Sequence, residues 1–440
     1  MKKWLLMVLS SLFAVVLVVN SLADELSDAG IKNQAQPSVL ADYLREAALH
    51  NPGLEAAFNK WKAEVERITQ VRTLPDPRFN FAYYIEEVET KVGPQEQGFG
   101  FYQTIPWFGK LKLRGAAATE QAEAAHQQYE ATKLALFEKV KSAYYDYWFL
   151  GQAINITRQN IELVRNMEAV ARSRFKAGVV DHASVIQAQV ELGKLNDRLN
   201  AQKAMRNPLS ANLNALLNRD INTILPWPKQ IPLAKISISD AEAIQLLTQS
   251  NPQLSRLDHL ARKEDAAQRL AKRDYYPDVT FGVDYVMTGD ALNPDTIDNG
   301  KDPLIAKVSI NLPIWFGKYR AAEREAVLRK TAIVNSRADA SNQLLAQLKL
   351  ALYRYHDAQR KIDLYANTLI PKAEESLQVT QQSFEAGKAS FIDLIDAQRS
   401  LLEFQLSHKR ALSDSARQLA VIERLINRSV ESKRSEKQKQ

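Results

Sequence analysis

The stretch Ile105–Lys110, IPWFGK, returns at Pro313–Lys318 as PIWFGK, and its surroundings return with it. Asn51-Pro52 is answered by Asn251-Pro252, and Pro75-Asp76 by Pro277-Asp278. Tyr144 aligns with Tyr353, Phe175-Lys-Ala-Gly178 with Phe384-Glu-Ala-Gly387, and Leu217-Asn218-Arg219 with Ile426-Asn427-Arg428. The offset grows from 200 to 209 residues, as small loop insertions produce. Self-similarity at one long period marks a tandem duplication. The chain must therefore fold as two similar halves, 24–235 and 236–428.

Each half has the same order of elements. A helix opens with Asn as cap and Pro at its first position, where the missing N–H costs nothing. It stops before the Pro75 or Pro277 cluster. Two strands of period two follow. Phe79, Phe81, Tyr83 and Ile85 lie on one side of the first, and Phe99, Phe101 and Ile105 on one side of the second. In the second half Val279, Phe281, Val283 and Tyr285 precede Val308, Ile310 and Leu312. Such alternation gives one apolar and one polar face. The period then changes to three and four, at Val185, Ala188, Leu192, Leu195 and Leu199 and at Leu345, Leu348, Leu352, Tyr355, Ile362, Ala366 and Leu369. That spacing predicts long helices packed as coiled coils. Lys110 to Phe175 as one helix would reach about 100 Å. Pro371 predicts a kink in its counterpart. The Phe-x-Ala-Gly elements predict hairpin turns, because Gly tolerates the positive φ of a helix end.

Lys2 and Lys3 before the apolar run Leu5–Val19, with Ser21-Leu22-Ala23 after it, read as an export signal over 1–23. The run is short for a membrane span, and no later stretch is apolar enough for one. The 440 residues contain no cysteine, so disulfides, thiolate metal ligation and lipid attachment to an N-terminal cysteine are excluded. The net charge of +7 includes Lys2 and Lys3, and the remaining excess is spread along the chain; no nucleic-acid footprint is expected. The charged, apolar-poor tail 429–440 is expected to be disordered.

An exported chain with amphipathic strands poses a packing question. The helices use their apolar seams on one another, so the strands' apolar face has no obvious soluble partner. Facing lipid satisfies it, but lipid permits no open sheet edge. Four strands must then close with those of other copies. The repeated cluster falls where barrel becomes helix: Pro106 and Pro313 stop the ladder, Trp107 and Trp315 suit the interfacial girdle, Gly109 and Gly317 the corner, and Lys110 and Lys318 the water beyond. The plainer alternative is a buried Trp at an ordinary strand–helix corner.

The duplicated plan, the Phe-x-Ala-Gly turns and the Trp-Phe-Gly-Lys junctions resemble the TolC-like outer-membrane efflux channel family, over nearly the whole mature chain. The resemblance implies a mainly α fold with a small β part, a duplicated α-helical barrel plus four strands per protomer. It implies a homotrimer whose twelve strands form one outer-membrane barrel, about 24 Å across at the usual spacing and tilt. It also implies a passive conduit in the outer membrane, continued through the periplasm and served by a periplasmic adaptor and an inner-membrane pump. The PWFGK junctions are similar to those of members paired with resistance-nodulation-division pumps, including heavy-metal cation exporters.

Two groups of residues stand out. Asp393 and Asp396 in FIDLIDAQ lie at i and i+3 on one helix face, where the first half has Ser184 and Gln187. In a threefold assembly they would make two carboxylate rings that attract cations and raise each other's pKa. The resemblance places the channel constriction there; the alternative is a solvated helix face. Phe175 and Gly178, with Arg174, and Phe384 and Gly387 resemble the family's adaptor-docking tips, although Phe and Gly could simply build the turns.

Enzymatic readings find no support: there is no phosphate loop and no nucleophile elbow. The six histidines lack ligand spacing and read as helix-surface residues, and only Met167, Met205 and Met287 follow the signal, so no cofactor, metal site or methionine relay is expected. Alternatives are the outer-membrane component of type I protein secretion and, in a different class, a periplasmic coiled-coil adaptor or rod.

Overall fold

The computed structural model describes residues 39–231 and 236–430. The expected leader lies outside them, as do residues 431–440. The expectation of a loose tail from 429 is corrected at its first two residues. Ser429 Oγ donates to Glu423 Oε1 at 3.1 Å, and Val430 is buried against Leu425 and Ile426, where its apolar side chain leaves water.

The first half runs α1 (Leu40–His50), α2 (Pro52–Arg72), β1 (Arg78–Thr90), β2 (Gly93–Ile105), α3 (Lys110–Lys176), α4 (His182–Ala204) and α5 (Arg206–Leu217). The second runs α6 (Asp240–Ser250), α7 (Pro252–Arg273), β3 (Val279–Thr288), β4 (Leu304–Ile310), α8 (Phe316–Leu364), a π turn (Tyr365–Leu369), α9 (Ile370–Glu385) and α10 (Phe391–Ile426). The 67 residues of α3 span about 100 Å. In the second half the corresponding helix is interrupted. The π turn ends two residues before Pro371, and widening the helix there accommodates a residue with no N–H to give.

Asn51 and Asn251 explain how each half is pinned. Each side-chain oxygen accepts from the first turn of the following helix, from Leu54 N and Gln253 N. Each amide also donates to the end of its own half's hairpin, to Leu216 O at 3.0 Å and Leu425 O at 2.8 Å. Asn218 and Asn427 follow directly at φ 57° and 52°, left-handed caps that Asn tolerates.

The buried clusters repeat as well. Leu136, Val140, Ala143, Tyr144 and Tyr147 are matched by Leu344, Leu348, Ala351, Leu352 and Tyr355. The alignment of Tyr144 with Tyr353 is thereby corrected. Tyr144 is buried whereas Tyr353 is 67% exposed, and the counterparts are Tyr147 and Tyr355, which face the two cores. A third cluster joins the hairpins, with Val185, Ala188, Leu195 and Leu199 beside Phe391, Leu394, Ile395 and Leu402. Among the described residues no helix is long and apolar enough to cross a membrane.

The four strands form one antiparallel sheet in the order β1-β2-β3-β4, with the first helical hairpin inserted between β2 and β3. Phe81 lies opposite Phe99, Phe101 opposite Val283, and Phe281 opposite Val308. These side chains share one face, and that face is uncovered.

Candidate functional site

Three regions carry the residues singled out by sequence, and a fourth was not anticipated. At the first strand–helix junction Gly109 has φ 87°, a left-handed turn that lets α3 begin at Lys110. Pro106 is buried and Trp107 half-buried, its ring stacked on Tyr276 at 5.4 Å. The expectation that Lys110 meets water is wrong. Its side chain is 3% exposed, and Nζ donates to Asp278 Oδ1 at 2.8 Å and Tyr276 O at 2.9 Å, with Asp274 at 3.6 Å. Trp107 N donates to the same Asp278 oxygen at 2.8 Å. A buried ammonium needs such partners, and the start of β3 supplies them. The second junction differs. Pro313 is half-buried, Trp315, Phe316, Gly317 and Lys318 are exposed, and α8 begins at Phe316, so Gly317 takes up no left-handed turn. Lys318 contacts the ring of its neighbour Tyr319 and makes no ion pair among the described residues.

At the turns, Gly178 and Gly387 both have φ 73°. Arg174 is not free beside its turn. It donates to Phe384 O at 2.7 Å and to Glu385 O, and its guanidinium sits over the Phe384 ring at 5.2 Å. Phe384 is buried against Phe391, while Phe175 is exposed beside His182. Arg174 and Phe384 thus tie the two hairpin ends together, and Phe175 is left facing outward.

Asp393 is the N3 residue of a reciprocal capping box. Its carboxylate accepts from Ser390 N at 3.0 Å and Ser390 Oγ at 2.7 Å, and its own N–H donates to Ser390 Oγ. The Ser390 hydroxyl, then the Ser390 amide, hold this carboxyl below its ordinary range, opposite in direction to the rise expected of ring crowding. Asp396 is exposed, with Oδ1 3.2 Å from Arg399. Arg399 also donates to the buried Glu191 of α4 at 2.5 Å and 3.1 Å, which raises its pKa. The two aspartates share a face but have different partners.

Sequence reading missed a layer on the polar face of the sheet. Tyr102 OH donates to Asp284 Oδ1 at 2.5 Å, and Asp284 pairs with Lys307. The Tyr102 ring lies against Gly282, where a Cβ would stand 2.3 Å from Cδ1. Strand register alone would have placed these three residues side by side, but the register between β2 and β3 spans a whole hairpin and was not legible. The reading of the histidines as plain surface residues is corrected for His259, whose Nδ1 is 2.8 Å from Glu120 Oε2, and for His408, half-buried and lowered in pKa by burial and by Lys409. Among the described residues no group of three or more His, Asp or Glu is placed to hold a metal.

Comparison with known proteins fits this geometry. The family described as Outer membrane efflux protein matches residues 43–219 and 243–428, one segment in each half. The cobalt-zinc-cadmium resistance protein CzcC of Cupriavidus metallidurans is 22% identical over 408 residues, covering 90% of this chain and 92% of CzcC. Outer membrane protein TolC of Vibrio cholerae is 21% identical over 391 residues, covering 83% and 85%. The fold is similar to that of the outer membrane protein VceC of Vibrio cholerae, with a TM-score of 0.74, 19% identity, and coverage of 89% of this chain and 97% of VceC. A duplication matched in both halves, a four-stranded sheet with an uncovered apolar face and a long periplasmic pair of hairpins place this chain in the outer membrane efflux protein family, as an outer-membrane channel reaching into the periplasm.

Proposed function

We propose that three copies of this chain close one conduit that accepts cationic solutes from an inner-membrane pump of the resistance-nodulation-division type, through a periplasmic adaptor, and releases them outside. The observation that carries the reading is the sheet. Its edges, β1 and β4, are unpaired within the chain, and its lipid-facing row, from Phe79 to Ile310, is uncovered. Hydrocarbon satisfies the apolar row, but it tolerates the open edges only if further copies complete the wall.

The chain then moves nothing by itself; the pump supplies the energy, and the channel contributes a path and a filter. A cation cargo is supported by Asp393 and Asp396, which three copies would present as two rings of three carboxylates near the tips. Asp396 would be the better filter, because Oδ2 of Asp393 is taken by the Ser390 amide and hydroxyl, which hold that carboxylate at the helix cap. CzcC is by name a cobalt-zinc-cadmium resistance protein, which agrees with a cation cargo. The exposed Phe175 and the turn around Gly178 are the surface offered to the adaptor. Single-channel recording of the D393N/D396N variant tests the ring. Block by divalent cations applied from the periplasmic side should weaken, and D396N alone should account for most of the loss. Unchanged block in the double variant would remove the filter.

A further inference from the structure

The two junctions are built from the same residues, yet only one is filled. Lys110 and Trp107 of the first half are held by the segment before β3: Asp278 takes the ammonium and the Trp107 amide, and Tyr276 stacks on the indole. Their counterparts Lys318 and Trp315, each 208 residues later, stand exposed. The counterpart of Asp278 is Asp76, 202 residues earlier, and that of Tyr276 is Leu74. Asp76 is exposed and makes no ion pair among the described residues, and Leu74 is exposed too. The lysine, the tryptophan and one acid of a second nest are therefore present, with Leu74 in place of the stacking tyrosine, but β1 and β4 are opposite edges of the sheet, and Lys318 cannot reach the Asp76 of its own chain.

We propose that Lys318 and Trp315 of one copy seat on Asp76 and Leu74 of the next copy, and that this contact sets the register between β4 and the neighbour's β1. The proposal rests on the reading that copies close a barrel, and adds which residues hold the seam. The register follows from the same internal template. Within the chain Phe101 faces Val283, Tyr102 faces Gly282 and Gln103 faces Phe281. Carried onto the repeat, Val308 faces the neighbour's Phe81, Ser309 its Asn80 and Ile310 its Phe79; the strand offset is 207, as between Pro106 and Pro313, because Ile314 adds one residue before Trp315. The parity is consistent, because all four apolar residues fall on the lipid side and Ser309 and Asn80 on the polar side. Charge also fits: an unpaired ammonium at one edge meets an unpaired carboxylate at the other. The seam is weaker than its template in one respect. Asp274, the second carboxylate near Lys110, corresponds to Arg72, whose side chain lies against Gly115 in its own chain, so the nest between copies has a single acid.

The absence of cysteine makes the register directly testable. Directly opposed strand positions lie within disulfide range. In full-length protein extracted from outer membranes, the S309C/N80C variant should give covalently linked dimers and trimers on non-reducing gels, whereas S309C/Y84C, offset by four residues, should not. Links from the offset pair, or none from S309C/N80C in a chain that is trimeric by light scattering, would overturn the register. For the ion pair, K318E and D76K should each lower the temperature at which trimers dissociate in detergent, and K318E/D76K should recover most of the loss. If the charge reversals fail to insert, K318Q and D76N supply the same comparison at lower cost. No loss in the single variants, or no recovery in the double, would overturn the seat. A detergent-extracted chain that is monomeric throughout would instead contradict the barrel reading itself.

Discussion

At the scale of single residues, a glycine decides where an aromatic ring lies on the polar face of the sheet. Gly282 has no Cβ, and the ring of Tyr102 fills that space, lying along the wall with its hydroxyl on Asp284. Gly282→Ala would place a methyl 2.3 Å from Cδ1, far inside contact distance, and the ring must swing toward the lumen. With three copies, three rings move. Single-channel conductance should fall in G282A and return in Y102A/G282A, where no ring remains to be displaced; equal conductance in wild type and G282A would show that the wall yields instead. A second residue-scale expectation concerns Asp393. Its folded pKa is depressed by Ser390, so the stability it lends is present above the ordinary carboxylate range and lost as pH falls through the folded value. Ser390→Ala should remove the cap at a cost of about 1 kcal/mol. Hydrogen exchange in the first turn of α10 should then rise at neutral pH and become less sensitive to acid than in wild type. The spacing of Asp393 and Asp396 was legible in the sequence. That one is a helix cap and the other an ion-pair partner was not, because capping depends on where the turn places Ser390.

At the scale of elements, period and punctuation carried most of the information. Alternation marked the four strands, Asn-Pro the starts of α2 and α7, and Phe-x-Ala-Gly the turns. What could not be read were the pairings between elements far apart in sequence. Lys110 was expected in water because a lysine after an aromatic cluster usually snorkels; it is buried because Asp278, from the other half, reaches it. Tyr144 was aligned with Tyr353, at an offset of 209, where the buried clusters repeat at 208 and set it against Leu352; a one-residue error in offset is invisible by eye, yet rotates a side chain by about 100° on a helix. The same kind of long-range pairing ties the hairpins near their ends. Arg399 on α10 donates twice to Glu191 on α4, and that carboxylate is almost wholly buried. Arg399→Ala would leave it without its cation, at about 1–3 kcal/mol for an unsatisfied buried group. Exchange should accelerate in α4 around residues 185–195 and in the first turns of α10, and leave the cores around Tyr147 and Tyr355 unchanged. Adding E191L should restore much of the protection, since the pair would then be replaced by apolar packing. Uniform acceleration over the whole chain would mean that the pair holds more than the hairpin ends.

At the scale of the whole molecule, two similar halves in each of three copies give six hairpin ends arranged as three alternating pairs. The halves are similar without being equal. Phe175 is exposed where Phe384 is buried, and Arg174 reaches from the first turn to the second with no mirrored contact returning among the described residues. A docking partner would therefore meet two kinds of end in alternation, and the first kind presents the freer surface. Gly178 separates docking from folding. Its φ of 73° costs a side chain about 1–2 kcal/mol, but a Cβ there would meet nothing within 4 Å, so bulk at this position projects outward into the space a partner would occupy. Gly178→Ala pays the backbone strain and adds almost no bulk; Gly178→Trp pays the same strain and adds a large obstacle. If the turn serves docking, G178A should retain most transport and G178W should lose it, with trimers equally abundant and equally heat-resistant in both. Transport measured as resistance of cells carrying the matching pump and adaptor distinguishes the cases. Equal loss in the two variants would mean that the glycine is needed only for the turn, and normal transport in G178W would mean that nothing docks on that face.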